Sequence, residues 1–124
     1  MVLDILFVVG RIFVGGFYIT SSFNHFFKRK EMAEYAKFKS VPLPNLAVFL
    51  TGLLLLFGGA SILFGIYPYI GVALISLFLI PVSLMMHNFW SVQKEQKKIE
   101  IVNFMKNMAL LGSTLMFLKI QMPW

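Results

Sequence analysis

The sequence of 124 residues contains no cysteine. Disulfide exchange, thiolate nucleophiles, iron–sulfur clusters and thiolate-bound zinc are therefore excluded within this chain. Charged residues are also scarce, at 13%, whereas 59% of the residues are hydrophobic, which is far outside the range of soluble domains. Any redox function of such a chain requires a bound cofactor or a partner.

Acidic residues are few, since 5 Asp and Glu stand against 11 Lys and Arg, for a formal charge of +6. The cations lie in segments that flank apolar runs, where attraction to anionic lipid headgroups explains them. We therefore expect the lipid bilayer as a partner and not nucleic acid. The first residues include Asp4 and no basic region, and no small-residue cleavage site follows the first apolar run, so we expect no cleavable signal peptide.

Four apolar runs predict an all-α integral membrane protein built as one domain over residues 1–124, with four transmembrane helices in a bundle. A bilayer core of about 30 Å requires roughly 20 apolar residues per crossing. The predicted spans are about 2–27, 44–64, 69–88 and 101–120. A short amphipathic helix over about 31–39 is expected to lie in the membrane interface.

Basic residues predict the orientation of the bundle. They follow the first and the third spans, whereas the connection after the second span has none. By the positive-inside rule both basic loops are cytoplasmic and both termini lie outside.

Polar side chains gather where the first and third spans end and the fourth begins. In the predicted topology these three places lie near the same membrane surface, so a polar ligand pocket is expected there. Its candidate residues are Asn24, His25, His87, Asn88, Trp90, Asn103, Lys106 and Asn107.

Several chemistries suit this set. Histidine transfers protons near neutral pH, asparagine holds a carbonyl group and the aromatic rings accommodate a quinone headgroup. The same residues at helix ends also anchor helices by binding backbone carbonyls or headgroups. Proton transfer and lipid binding are further alternatives. A haem between His25 and His87 is conceivable, but one histidine per helix is a weak signal, and no metal site is predicted.

Arg11 is an unusual charge within an apolar run. Counted from Val2, it lies about 13 Å into the first helix, close to the middle of the bilayer. Asp4 is seven positions earlier on the same helical face, which predicts an ion pair that reaches toward the outer surface. The alternative is that Arg11 contacts a ligand or a partner subunit inside the membrane.

Two short segments resemble each other. Ser22-Phe23-Asn24-His25-Phe26-Phe27 and His87-Asn88-Phe89-Trp90 each lie at the end of a predicted span and precede a basic segment. Two related helical hairpins in parallel orientation would produce this pattern, and chance would do so equally well.

Several motifs together resemble the DoxX family of small bacterial and archaeal membrane proteins. The resemblance covers nearly the full chain and rests on Arg11-Ile12, Asn24-His25-Phe26, Val41-Pro42-Leu43-Pro44, the glycine-rich end of the second span, His87-Asn88-Phe89-Trp90 and Asn103-Phe104-Met105-Lys106-Asn107. It implies a four-helix bundle in the plasma (inner) membrane, associated with redox systems such as thiosulfate:quinone oxidoreductase and terminal quinol oxidase assemblies. No catalytic residue carries over from the family.

The resulting prediction is the membrane subunit of a quinol- or quinone-linked redox assembly, with no intrinsic catalytic motif or cofactor and with quinone as the candidate ligand. Its expected partners are other membrane subunits or further copies of the chain. The alternative is a non-enzymatic scaffold that stabilises membrane partners through small-residue helix faces, including Ala109, Gly112 and Ser113.

Overall fold

The computed structural model describes residues 1–124 and contains helices without strands. The helices are α1 (Val2–Phe27), α2 (Arg29–Phe38), α3 (Pro44–Phe64), α4 (Pro68–Met86) and α5 (Lys94–Met116), with short 3-10 turns at Phe89–Ser91 and Phe117–Lys119. Four of the helices are long and apolar enough to cross a membrane. The predicted all-α membrane bundle is confirmed.

The ends of α1 and α3 coincide with their predicted bounds, and α2 begins two residues earlier than the predicted interfacial helix. The fourth predicted span differs most, because α5 begins at Lys94 instead of residue 101. The added residues include Lys, Glu and Gln, which are good helix formers but too polar for an apolar run. Hydropathy therefore detects the membrane-crossing part of α5 and misses its polar first turns.

Glycines set the close approach of the helices. A Cβ added at Gly15 of α1 would lie 2.7 Å from Leu63 Cβ and 2.8 Å from the Gly59 carbonyl oxygen of α3. Similarly, a Cβ at Gly58 of α3 would lie 2.7 Å from Ile75 Cδ1 of α4. The small residues thus bring α3 against both α1 and α4, as expected for membrane helices.

One apolar core joins the four long helices. Its fully buried members are Tyr18 of α1, Leu55 and Ile62 of α3, and Ile75 and Leu79 of α4. The α5 side chains that pack against this core are Leu110 and Leu111. In contrast, Phe13, Phe57, Leu77, Ile80 and many other large apolar side chains face outward. An apolar exterior around an apolar core is what a lipid environment requires.

The bundle has two distinct ends. The basic end carries α2 and the connection between α4 and α5, and the opposite end, here called the turn end, carries the tight connection from Gly65 to Tyr67. At the basic end, Ala33 and Ala36 of α2 pack against Val48 of α3. The amphipathic helix α2 therefore covers the start of α3 at the basic end.

Candidate functional site

A cavity of about 340 Å³ lies at the basic end, below α2. Its walls come from the last turn of α1, the first turns of α3 and the second half of α4, and eleven of its 16 lining residues are hydrophobic. The lining side chains that carry polar atoms are His25, Lys28, Glu31, Tyr35 and Thr51. We call this space the basic-end cavity.

His25 is the buried polar residue of this cavity. Its Nδ1 lies 2.9 Å from the Ser21 carbonyl oxygen one turn earlier in α1, and its ring packs edge-on against Phe78 of α4 at 5.8 Å between centroids. Because a carbonyl oxygen only accepts, Nδ1 donates the proton of this hydrogen bond. In the neutral ring, Nε2 is then a hydrogen-bond acceptor. The His25 side chain that carries it lines the cavity.

A second polar group lies beside the cavity, at the start of α5. His87, the residue after α4, has its Nδ1 2.9 Å from Glu100 Oε2. Glu100 is only 5% exposed and is the one buried acidic side chain of the chain, whereas the His87 side chain is 22% exposed. A buried carboxylate requires a partner of this kind.

Helix α2 contacts both the basic-end cavity and the polar residues beside it. Tyr35 lines the basic-end cavity and lies next to Glu100. Burial raises the pKa of Tyr35, and the nearby negative charge of the Glu100 carboxylate raises it further. One turn later, Lys39 Nζ donates a hydrogen bond of 3.0 Å to Asn88 Oδ1. Tyr35 therefore connects the cavity to the His87–Glu100 pair.

The structure brings together only part of the predicted site. His25 lines the cavity, and His87 and Asn88 belong to the polar group beside it. Asn107 is buried on α5 and Asn103 is half-buried, but the cavity lining includes neither. The exposed candidates are Asn24, Lys106 and Trp90, of which Trp90 packs against the rings of Phe89 and Phe104.

Glu100 is the residue that sequence reasoning missed. Residues 91–100 are predicted as a polar basic loop, and a glutamate in such a loop is expected to be exposed. A signal was nevertheless present, because Glu100, Asn103, Asn107 and Thr114 recur at intervals of three, four and seven, which place them on one helical face.

The predicted Arg11–Asp4 ion pair is wrong. Asp4 is exposed and pairs with the amino group of Met1 at 3.2 Å. Arg11 instead donates from Nε to the Ile62 carbonyl (3.2 Å) and from Nη2 to the Leu63 carbonyl (2.9 Å), in the last turn of α3. The last carbonyls of a helix lack partners within it and carry partial negative charge, so they bind a guanidinium better than a solvated carboxylate does.

The contact with α3 also gives the level of Arg11 in the bundle. Arg11 lies level with the last turn of α3 and 16 residues before the end of α1, so it is about 24 Å from the basic end of α1. Its depth in a bilayer stays a prediction.

The comparisons with known proteins identify the family. The sequence model of the DoxX family matches residues 6–88, which include α1 to α4 almost entirely and end at the His87-Asn88 pair. No curated protein and no solved structure matches the chain. Since the matched segment is about two thirds of the sequence, this multi-pass membrane protein belongs to the DoxX family.

Proposed function

We propose that the chain is the membrane subunit of a quinone-linked redox assembly and that the basic-end cavity binds the quinone headgroup. The observation that carries the proposal is the apolar cavity of about 340 Å³, which adjoins a buried histidine and, through Tyr35, the His87–Glu100 pair with its buried carboxylate. Family membership supports it, since DoxX relatives are named for redox assemblies.

The dimensions and lining of the cavity suit a quinone. Small-molecule pockets have volumes of about 300–1,000 Å³ and are mostly apolar with a few polar groups. Apolar side chains such as Met32, Val82 and Met85 would contact the ring and its tail. His25 would accept a hydrogen bond from a quinol hydroxyl at Nε2, because its Nδ1 proton is held by Ser21.

Quinol oxidation releases two electrons and two protons. Tyr35, Glu100 and His87 form a row of proton-exchanging groups from the cavity to the partly exposed basic end. The electrons pass to a partner subunit in this proposal. Glu100 and His87 act as positioning and proton-transfer groups and need not touch the quinone.

Binding measurements on two matched variants test the proposal. Ala47 lines the cavity and Ala73 faces outward on α4, so Ala47→Phe fills the cavity while Ala73→Phe adds the same ring to the lipid-facing surface. We expect decylubiquinone or a menaquinone analogue to raise the melting temperature of the detergent-purified chain. Ala47→Phe should weaken that binding at least roughly tenfold, or about 1.4 kcal/mol. Lipids extracted from the purified chain should also contain quinone. The proposal would be overturned if the extract contains none and no quinone analogue shifts the melting temperature.

The orientation forms part of the proposal, with the basic end in the cytoplasm of a bacterium or archaeon and the turn end outside. The cysteine-free sequence makes a direct test possible. A membrane-impermeant maleimide should label Ile66→Cys at the turn end in intact cells, and should label Lys97→Cys at the basic end only after permeabilisation. The reverse pattern would invert the orientation.

A non-enzymatic scaffold is the second candidate function. Its supporting observation is the outer face of α5, where Ala109, Gly112 and Ser113 are exposed and a Cβ at Gly112 would meet nothing within 4 Å. Such a face allows close approach of a partner helix. Crosslinking in native membranes distinguishes the two: a partner retained by a His25→Ala, His87→Ala double variant and lost by Gly112→Leu would favour the scaffold.

A further inference from the structure

The turn end contains a second cavity, which the proposed function does not use. Because Arg11 lies level with the end of α3, residues 2–10 of α1 extend beyond α3 by about 13 Å. The C-terminal segment folds against this extension, with the Trp124 ring edge-on to Phe7 (5.4 Å) and to Phe117 (6.0 Å). A cavity of about 190 Å³ lies between them. We call it the turn-end cavity.

Arg11 is the one charged residue of this cavity. Seven of the nine lining residues are hydrophobic, and the others are Gly10 and Arg11. The ion pairs of the chain are Met1–Asp4 and His87–Glu100, so the guanidinium has no carboxylate partner. Its Nε and Nη2 each donate to one α3 carbonyl, which leaves three of its five N–H donors free.

The indole of Trp124 supplies another donor. Its Nε1 is buried and has no hydrogen-bond partner in the chain. Trp124 and Arg11 line the same mostly apolar cavity, so the unpaired Nε1–H lies within its wall, next to a guanidinium that keeps N–H groups without a partner. Buried donors normally have partners, and a cation in apolar surroundings requires an anion.

We infer that the turn-end cavity binds the oxyanion of a membrane amphiphile, a carboxylate or phosphate group attached to an acyl chain. Arg11 binds the oxyanion through its free N–H groups, as guanidinium groups do with both anions. The acyl chain lies along the apolar lining. The cavity lies at the turn end of the bundle, where lipids of one leaflet present such groups, and the apolar walls favour an amphiphile over a fully hydrated inorganic ion.

Fluorescence of Trp124 can report binding of an amphiphile in the turn-end cavity. The chain has two tryptophans, so Trp90→Phe leaves Trp124 as the only indole fluorophore. Brominated chains quench tryptophan on contact. In detergent, we expect dibromostearate or a brominated phosphatidylglycerol to quench Trp124 saturably, and the methyl ester of dibromostearate, which lacks the charge, to bind at least tenfold more weakly. Tighter binding of dibromostearate would identify a carboxylate as the preferred group, and tighter binding of phosphatidylglycerol would identify a phosphate.

Two variants in the Trp90→Phe background attribute the binding to this cavity. Arg11→Gln should weaken it about tenfold, whereas Arg29→Gln, which removes an exposed cation at the basic end, should not change it. Because Arg11 also holds the end of α3, Gly10→Leu gives an independent variant. A Cβ at Gly10 meets nothing within 4 Å, so the fold accepts a leucine at this cavity-lining position, and the added side chain should weaken saturable quenching at least roughly tenfold.

Three results would overturn the inference: equal quenching by the acid and its methyl ester, equal quenching in the parent and in folded Gly10→Leu, or displacement of the brominated acid by inorganic phosphate alone. The last result would indicate a site for a free anion. None of these outcomes affects the quinone proposal, which concerns the other end of the bundle.

Discussion

The two ends of the bundle hold a charged side chain by different kinds of partner. At the basic end, the Glu100 carboxylate is matched by side chains, His87 and Tyr35, that can themselves gain or lose a proton. At the turn end, the Arg11 guanidinium is matched by two backbone carbonyls, which cannot. One end can therefore exchange protons, while the other presents a fixed charge. This contrast is why we assign proton-linked chemistry to the first and anion binding to the second.

The largest expected effect comes from separating the His87–Glu100 pair. His87→Ala leaves a carboxylate that is only 5% exposed without its partner, which should destabilise the fold by about 3 kcal/mol. Adding Glu100→Gln removes the charge and should restore at least half of that loss. Denaturant unfolding in detergent micelles, followed by tryptophan fluorescence, measures both. Equal stability of His87→Ala and the exposed control Lys106→Ala would show that the pair does not hold Glu100.

A smaller loss is expected at the turn end. Arg11→Ala removes two charge-assisted hydrogen bonds from the end of α3 and should cost about 2 kcal/mol. Unlike at the basic end, no second substitution of a side chain can compensate, because the partners are the backbone carbonyls of Ile62 and Leu63. The same unfolding measurement, with Arg29→Gln as the control, tests this. Rescue of Arg11→Ala by Asp4→Asn would instead revive the ion pair predicted from sequence.

The smallest effect concerns Tyr35. Its pKa is raised from 10.0 by burial and then by Glu100. A tyrosine whose folded pKa lies above its unfolded value adds stability that is fully present below pH 10 and is lost as the pH rises through the folded pKa. Because Tyr35 is 45% exposed, solvent screens this contribution, and the Tyr35→Phe variant should lose less than about 1 kcal/mol at neutral pH. Ultraviolet absorbance follows the ionisation of the tyrosines. The Tyr35→Phe variant should lack the step that belongs to Tyr35, and in the Glu100→Gln variant this step should occur at lower pH. An unmoved step would separate Tyr35 from the pair.

Much of the fold was predictable because its boundaries are chemical. Lys28, Arg29 and Lys30 end the apolar run of α1, and Pro44 suits the first turn of α3, so both helices were located to the residue. The first turns of α5 were not predicted, since a charged helix outside the apolar span reads like a basic loop. Glu100 was missed for that reason.

The candidate site was only partly predictable. Sequence placed His25 and His87 near the same surface, but which face of α1 carries His25 toward Phe78 depends on how α1 crosses α3 at Gly15 and Gly59. The partner of Arg11 depends on the same register, because it decides which α3 carbonyls lie opposite. Periodicity along a single helix, which suggested Asp4, contains no information about that register.

Photolabelling of the chain with an azido-quinone tests the central claim, that the basic-end cavity binds a quinone headgroup, most directly. After proteolysis, mass spectrometry should find the label on α2 and on the second half of α4, at residues such as Met32, Tyr35 and Met85, and excess decylubiquinone should suppress it. Labelling spread over the lipid-facing surface, or concentrated around Gly112 on α5 and not suppressed by decylubiquinone, would contradict the claim.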